Sequence, residues 1–343
     1  MKVVPLSWAA RTVVMGSAIC LLSPLLLSAA SAGVDGEADG RSTVPSACAG
    51  ISVSTADNLV SKIANAPSGT TFCIHSGTFS LGTAALQPKD NDKLIGDPVT
   101  RARSGSISAP TKIVGTGPAI IDIGESLGVL IQNLDISGAR GTYVCRPLCG
   151  RGISHGASLT VSYSRIHGNA LSGIGGIDTG SVIDHIELDH NGSSIFLGCC
   201  SAGVKGTTDY TIQNSYVHDN IGNGVWQDGC GSNFKVTNTT VTTSSLSGVR
   251  YEHNQDCSGS ASITGNTIKN NNLSGSNGSG GVAINSAPGA TVSFNIFGGN
   301  KAAGASVGGT RGPVTGTSIH DNTMNGDLLR GCFLSGVSCL NNH

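Results

Sequence analysis

The sequence predicts an all-β solenoid, a parallel β-helix that begins with a short capping helix. Apolar residues recur in two columns, and successive coils are separated by 22 to 30 residues. Glycine contributes 50 of the 343 residues, and charged residues make up only 12% of the chain. A regular repeat of this length with short strands and turns is typical of a solenoid, in which stacked coils bury one continuous core.

The first part of the chain, 1–32, predicts a secretory signal peptide. Lys2 and Arg11 supply its basic end, 13–27 is apolar, and 30–32 is a small-residue cleavage site. A membrane anchor is the alternative, which the serines and Pro24 within the apolar run disfavour. We therefore expect a secreted or periplasmic protein that does not remain in the membrane after cleavage.

The charge balance of the mature chain argues against nucleic acid as a partner. Loss of Lys2 and Arg11 reduces 20 basic residues to 18, against 21 acidic residues, for a net charge of −3. A nucleic-acid-binding protein normally carries a basic patch or stripe, so we expect no nucleic-acid partner.

The cysteines predict a disulfide-bonded exported protein. One of the 11 cysteines, Cys20, leaves with the signal peptide, and the even number that remains favours pairing in an oxidising compartment. The local pairs expected are Cys48–Cys73, Cys145–Cys149 and Cys332–Cys339, whereas the connectivity among Cys199, Cys200, Cys230 and Cys257 stays open.

The mature chain is predicted to begin with a linker over 33–50, followed by one domain over 51–343. A short helix is expected to begin after Ser54 or Thr55 and to end before Pro67, where it would cover the open end of the solenoid. Its apolar face would comprise Ala56, Leu59, Val60, Ile63 and Ala64.

The repeat defines two inward columns and one asparagine-rich column. Five residues separate the two apolar columns, and this odd offset requires a turn between two strands because side chains alternate with a period of two. Asparagine tolerates the left-handed conformation that such turns need and can form hydrogen bonds along the stack. The first column is Ile131, Val161, Ile183, Ile212, Val236, Ile263, Val292 and Ile319; the second is Ile136, Ile166, Leu188, Val217, Val241, Ile268, Phe297 and Met324; Asn169, Asn191, Asn220, Asn271 and Asn300 stand in the third.

These coils, with the segments 69–79 and 88–96, resemble secreted bacterial right-handed parallel β-helix proteins of the pectin-lyase-like superfamily. The resemblance extends over 51–330 and implies a right-handed solenoid and a polysaccharide bound along one outward β-face. Such β-helices are usually monomers or trimers, and we expect a monomer. That superfamily contains lyases, hydrolases, epimerases and non-enzymatic proteins, so the resemblance indicates the fold more strongly than the reaction.

One outward face is predicted to carry the chemistry. Four segments share the frame Gly-Val followed by alternating side chains, and they begin at Gly203, Gly224, Gly248 and Gly281. If the four valines and Tyr251 point inward, a charged row with one aromatic residue points outward. This row comprises Lys205, Trp226, Asp228, Arg250, Glu252 and Asn285.

Charges of this kind suit β-elimination on a uronate-containing polysaccharide. The reaction needs a base, a cation that neutralises the carboxylate and an acid for the leaving oxygen. The resemblance to alginate-lyase-type β-helices implies that Lys205 is the base and Arg250 the acid or carboxylate clamp. It also implies that Asp228, Glu252 and Asn285 supply oxygen ligands to a cation, with Ca²⁺ as the candidate cofactor.

Further side chains are expected at the groove or near it. Trp226 is expected to lie against a sugar ring, and His253 is placed to reach the groove. His155 is expected to point inward or to lie at a bend. His185, His190 and His218 are expected to be solvated turn residues beside aspartates.

Two other functions remain open. Asp228 and Glu252 on adjacent coils are a plausible carboxylate pair for a glycoside hydrolase. The same charges could form surface ion pairs on a glycan-binding or structural β-helix without catalysis. The chain lacks the Asp-Pro-His-Asp segment of mannuronan epimerases and the Asn-Thr-Asp and Gly-His-Gly segments of polygalacturonases.

Overall fold

The computed structural model describes residues 48–141, 149–197, 200–229, 231–252, 259–309 and 312–343, together with the backbone of Ser42 and Thr43. Gly40–His343 forms one compact unit. The predicted signal peptide and most of the predicted linker lie outside the described residues. Among the described residues, no helix is both long enough and apolar enough to cross a membrane.

Three parallel sheets form the sides of the solenoid, and from Lys93 to Gly308 the chain passes through them in turn. The 12 strands of sheet A are Ile51–Val53, Thr71–Ile74, Lys93–Gly96, Leu130–Gln132, Thr160–Ser162, Ser181–Asp184, Tyr210–Gln213, Phe234–Thr237, Ala261–Thr264, Ala290–Ser293, Thr317–His320 and Val337–Leu340.

Sheets B and C each contain 9 strands, and adjacent strands in each sheet come from successive coils. Sheet B comprises Gly77–Ser80, Thr111–Val114, Asp135–Ser137, Arg165–His167, Glu187–Asp189, Tyr216–His218, Thr240–Thr242, Thr267–Lys269 and Ile296–Gly298. Sheet C comprises Ala119–Leu127, Arg151–Ala157, Ser172–Ile177, Ala202–Gly206, Asn223–Asp228, Val249–Glu252, Val282–Asn285, Ala305–Gly308 and Leu329–Arg330.

The strand register confirms both predicted apolar columns. Each first-column residue pairs with the next in sheet A, from Ile131 with Val161 to Val292 with Ile319, and all are fully buried. The second column pairs in the same way through sheet B from Ile136 to Phe297. The coil repeat therefore arises because every coil must contribute an apolar side chain at the same height of one continuous core.

The turns between strands differ from the prediction in one respect. The residue with left-handed backbone conformation lies two positions after each apolar residue of the two columns, as at Asn133, His190 and Asn214. The asparagines of the third column do not have this conformation. Those asparagines follow the left-handed residue and form hydrogen bonds along the stack. Asn169 donates from Nδ2 to Asn191 Oδ1 at 2.9 Å, and Asn271 donates to Asn300 Oδ1 at 3.1 Å.

A second asparagine ladder, outside the three columns of the repeat, lies at the corner between sheets A and B. Asn266 Nδ2 donates to Asn295 Oδ1 at 2.9 Å, and Asn295 Nδ2 donates to Asn322 Oδ1 at 3.0 Å. Each of these amides also donates to the strand carbonyl of the preceding coil, as Asn295 does to Ile263. The side chains thus satisfy backbone groups that a buried turn would otherwise leave unpaired.

The capping helix is present but shorter than predicted. It spans Leu59–Asn65, and Asn58 caps it by accepting a hydrogen bond from the backbone N–H of Ser61. It begins late because the Asp57 carboxylate accepts from the backbone N–H of Ser54 and fixes a turn there. Leu59 and Ile63 enter the core, whereas Ala56 and Ala64, expected on the apolar face, are exposed.

The remaining elements are a small antiparallel sheet, a short 3-10 helix and the disulfides, two of which join cysteines that both lie among the described residues. Strands Ser42–Thr43, Thr100–Arg101 and Ile107–Ser108 form the sheet, and Ser194–Phe196 forms the 3-10 helix. The predicted Cys48–Cys73 and Cys332–Cys339 bonds are confirmed. Cys149 and Cys200 are also disulfide-bonded, while Cys145, Cys199, Cys230 and Cys257 lie outside the described residues.

Candidate functional site

The predicted charged row lies on the outer face of sheet C, in the register expected from the sequence. Lys205 pairs with Trp226, Trp226 with Arg250, and Asp228 with Glu252 on neighbouring strands. Their inward neighbours, among them Val225 and Tyr251, are fully buried. The alternation of the strand therefore forces the charged side chains outward onto one surface.

Lys205 is held between a carboxylate and an aromatic ring. Its Nζ lies 2.7 Å from Asp228 Oδ2 and 3.8 Å from the centroid of the Trp226 ring. A cation in this position gains roughly 0.5 to 2 kcal/mol from the ring in addition to the ion pair. The lysine side chain is only 18% exposed, so its amine is fixed in place rather than free in solvent.

Arg250 is held by Glu252 and Asn285. Its Nε lies 2.9 Å from Glu252 Oε2, and its Nη2 donates to Glu252 Oε1 at 3.0 Å, which makes a two-point ion pair. When the Asn285 side-chain amide is oriented with its oxygen toward the guanidinium, that oxygen accepts a hydrogen bond from Arg250 Nη2 at 3.1 Å. The predicted residues therefore converge on one site, and the two acids each anchor a cation.

Trp226 occupies a different position from the exposed platform that was expected. Its side chain is 6% exposed, and one ring contacts both Lys205 Nζ and, at 5.4 Å, the guanidinium carbon of Arg250. Among the described residues its indole N–H has no hydrogen-bond partner. In this arrangement the ring positions the two cations, and it does not present an open face to a sugar.

A small cavity of about 150 Å³ lies beside Lys205, and Arg151 lines it. Arg151 Nη1 donates to the Gly175 carbonyl at 3.2 Å and to Ser154 Oγ at 3.3 Å. A Cβ at Gly175 would lie 2.5 Å from Ser172 Oγ and 2.9 Å from the Arg151 Cδ and Nε atoms, so glycine leaves room for both side chains. Burial lowers the pKa of Arg151, against the opposing effect of the Asp122 carboxylate.

Asp122, Ser154 and His155 extend this surface beyond Arg151. His155 Nδ1 lies 3.3 Å from Asp122 Oδ1 and 3.0 Å from Ser154 Oγ, and its backbone is left-handed with φ 62°. His155 therefore lies at a bend, in agreement with one of the two positions expected. The sequence reasoning missed Arg151 and Asp122 because their strands lack the Gly-Val frame; their charge in a charge-poor chain was the available signal.

The predicted metal ligands do not fit a resident Ca²⁺. Ca²⁺ takes 6 to 8 oxygen ligands, but Asp228, Glu252 and Asn285 each direct an oxygen at Lys205 or Arg250. His253, expected near the groove, lies outside the described residues.

A separate carboxylate and histidine cluster lies on sheet B, away from this row. One ligand atom each of Glu187, Asp189 and His218 lies within 4.8 Å of the others. Arg165 forms a two-point pair with Asp189 at 2.9 and 2.7 Å, and the Ile107 backbone N–H donates to Glu187. The groups are therefore engaged in a buried ion network under the 100–108 hairpin.

The protonation of this network follows from its hydrogen bonds. Burial would raise the pKa of Asp189, but hydrogen bonds from Arg165 and His190 outweigh it and lower that pKa. Burial would lower the pKa of His218, but hydrogen bonds to Glu187 and Asp219 raise it. His218 is thus a nearly buried strand residue and not the solvated turn residue that was expected.

Comparison with known proteins supports the fold. No protein-family model and no curated protein sequence matches the chain. The A-module of mannuronan C-5 epimerase AlgE6 from Azotobacter vinelandii matches with a TM-score of 0.50 and 16% identity, over 87% of this chain and 97% of that one. The catalytic unit of the thermostable GH87 alpha-1,3-glucanase from Streptomyces thermodiastaticus strain HF3-3 matches with a TM-score of 0.51 and 16% identity, over 87% of this chain and 70% of that one.

A viral protein, ORF18 of Geobacillus virus E2, matches with a TM-score of 0.53 and 13% identity, over 85% of this chain and 60% of that one. At these identities the likeness concerns the fold, and the proteins differ in what they do. Together with the continuous parallel sheets and the stacked columns, the matches identify the architecture. The chain is a right-handed parallel β-helix.

Proposed function

We propose that this protein is an exported polysaccharide lyase that cleaves a uronate-containing polysaccharide by β-elimination. The observation that carries the proposal is the outward row on sheet C, where Lys205, Trp226 and Arg250 are aligned on adjacent strands. The neighbours whose names concern polysaccharides, mannuronan for one and an alpha-1,3-glucan for another, agree with a carbohydrate substrate.

The charge of the row suits an acidic polymer. Arg151, Lys205 and Arg250 lie on strands of the same sheet, so a chain running across these strands would meet successive cations. Adjacent strands are about 4.8 Å apart. This spacing is similar to the distance between neighbouring sugar residues of an extended polysaccharide. The cavity between Arg151 and Lys205 has room for a small anionic group such as a carboxylate.

In the proposed reaction the neutral form of the Lys205 amine, after the ammonium that pairs with Asp228 has lost a proton to water, takes the proton from the carbon that bears the carboxylate. The electron pair of that C–H bond forms the new double bond to the adjacent carbon, and the bond from that carbon to the glycosidic oxygen breaks. Arg250 stabilises the departing oxygen with a hydrogen bond, that oxygen takes its proton from water, and the proton gained by Lys205 returns to water. Arg151 stabilises the negative charge that develops on the carboxylate.

The acids and the tryptophan act through these groups. Asp228 orients the Lys205 amine and Glu252 orients the guanidinium of Arg250, at 2.7 and 2.9 Å. Trp226 supports both cations from beneath. A site held by such ion pairs and packing keeps the reacting groups in place before substrate binds, which is the main requirement for electrostatic stabilisation.

Export is part of the proposal. The N-terminal sequence has the form of a signal peptide, and the domain contains the Cys48–Cys73 and Cys332–Cys339 disulfides. Disulfides of this kind persist in oxidising compartments, where extracellular polysaccharides are found.

The experiment is an absorbance assay for unsaturated uronates with alginate, pectate, hyaluronan and chondroitin, in the presence and absence of Ca²⁺. We expect an increase with one polymer and its loss in Lys205→Gln. Arg250→Lys keeps the charge but loses the two-point geometry, so we expect at least a tenfold loss. Lys235→Gln, an exposed lysine on sheet A, is the matched control and should retain activity. Absence of absorbance with all four polymers would refute the substrate assignment.

A glycoside hydrolase is the second candidate, and the adjacent register of Asp228 and Glu252 favours it. A strand spacing of about 4.8 Å is close to the carboxylate separation of about 5 to 5.5 Å in retaining enzymes. A hydrolase needs one carboxyl to be protonated, however, and both acids here contact a cation. New reducing ends without absorbance, lost in Asp228→Asn and Glu252→Gln, would favour the hydrolase.

A further inference from the structure

A cleft of about 630 Å³ continues the charged row toward the C-terminal end of the solenoid. Asn285, which accepts from Arg250, lines its near side, so the cleft and the candidate site share a wall. Its volume lies within the range of about 300 to 1,000 Å³ that is usual for ligand pockets. The cleft is therefore large enough for part of a polymer.

Small residues, among them Ser306 and Gly308, line the part of the cleft that lies beside Asn285. From Arg250 the register runs through Ala283 and Ser306 to Arg330 on the last strand of sheet C. Ala283 is fully buried and does not line the cleft, whereas Ser306, which is 8% exposed, and Gly308 do. Arg250 and Arg330 are therefore three strand spacings, or about 14 Å, apart across sheet C.

Arg330 differs from the other cations of the row. Lys205 and Arg250 are each ion-paired, whereas Arg330 is exposed and, within the described part of the chain, has no carboxylate at ion-pair distance. Exposed arginine without a protein partner is available to bind a carboxylate of a ligand through two hydrogen bonds.

Phe333 forms the far wall. Its side chain is 88% exposed, although large apolar side chains are usually buried. The turn that carries it is fixed by the hydrogen bond from Leu334 N to the Gly331 carbonyl at 3.1 Å and by the Cys332–Cys339 disulfide. A fixed aromatic ring beside a cation suits a sugar ring, whose C–H face packs on the aromatic while a charged substituent meets the cation.

We propose that Arg330 and Phe333 form a remote subsite that binds one anionic sugar residue of the polymer whose reacting residue lies at Lys205 and Arg250. The inference deepens the proposed function and rests on it for the identity of the polymer. Because the subsite lies about 14 Å from Arg250, a disaccharide cannot contact both places, whereas a longer oligosaccharide can.

The test is calorimetric binding of uronate disaccharide, tetrasaccharide and hexasaccharide to the full chain carrying Lys205→Gln, which is expected not to cleave them, with neutral oligosaccharides of equal length for comparison. Arg330→Gln and Phe333→Ala should each weaken binding of the hexasaccharide about tenfold and leave the disaccharide unchanged. Arg103→Gln and Phe294→Ala, exposed residues elsewhere on the chain, are the matched controls and should change neither. Thermal melting checks that each variant is folded.

The outcomes separate the two proposals. Hexasaccharide binding unaffected by Arg330→Gln, in a protein active as a lyase, would overturn the subsite and leave the lyase standing. Length-dependent loss of binding in a protein without elimination activity would support the subsite and refute the lyase. Equal weakening of the disaccharide and the hexasaccharide would also overturn the subsite, because it would place Arg330 at the reacting residue.

Discussion

The second asparagine ladder provides a quantitative prediction, the effect of Asn295→Ala. The Asn295 side chain accepts from Asn266 N at 3.0 Å and donates to the Ile263 carbonyl at 2.8 Å, and Asn295 is 1% exposed. The substitution leaves both of these backbone groups without this partner. The side-chain amides of Asn266 and Asn322 each keep a partner. Asn266 Nδ2 still donates to the Val236 carbonyl, and Asn322 Oδ1 still accepts from the Asn295 backbone N–H.

Each backbone group left unsatisfied in the interior costs about 1 to 3 kcal/mol, so we expect a loss of about 4 kcal/mol in the free energy of unfolding. For a domain of this length that corresponds to a decrease of about 6 °C in Tm. Calorimetry measures this shift, and Asn233→Ala, at an exposed asparagine whose side chain forms no described hydrogen bond, should stay within about 0.5 kcal/mol.

Hydrogen exchange locates the effect. The Asn266 amide should exchange faster in Asn295→Ala, whereas amides of the early coils should keep their rates because each coil contacts mainly its neighbours. Equal melting temperatures for Asn295→Ala and Asn233→Ala would refute the reasoning, since the ladder would then contribute no more than an exposed side chain.

Two further predictions concern the cavity beside Lys205 and the ion network on sheet B. Gly175→Ala should lower lyase activity at least tenfold, because the added methyl would lie 2.5 Å from Ser172 Oγ and 2.9 Å from Arg151 Cδ and Nε and must displace these side chains; unchanged activity would remove Arg151 from the mechanism. The pKa of His218 is raised in the folded state, so its stabilising contribution is complete below about pH 6.5 and is lost as pH rises through the folded value. Melting from pH 5 to pH 9 should show this alkaline decline in the native protein and a weaker one in His218→Gln; identical profiles would contradict it.

The solenoid was predictable because the residues that form its core recur at regular positions in the sequence. An apolar residue recurs in every coil, and the alternation of a strand then fixes which neighbours face outward, including Lys205, Arg250 and Glu252. A side chain such as Tyr251 was placed correctly for the same reason. These inferences need only local geometry and the requirement that apolar residues are buried.

The parts that were missed depend on contacts between distant segments. Arg151 reaches Gly175 from another coil, and Glu187 receives the Ile107 N–H from a hairpin far earlier in the chain. The burial of Trp226 arises because two cations from adjacent coils cover its ring. Sequence spacing predicts which face of the sheet each side chain points to, but it does not predict which long side chains pack over a neighbouring residue. The role of the site depends on that packing.

The proposed reaction can be tested most directly by product analysis after incubation in oxygen-18-labelled water. β-elimination cleaves the chain without adding water, so we predict unsaturated products that carry no label and that are absent with Lys205→Gln. Hydrolysis adds water across the bond and leaves one labelled oxygen in a saturated product. Labelled, saturated products formed by the native protein would contradict the lyase and transfer the catalytic roles to Asp228 and Glu252.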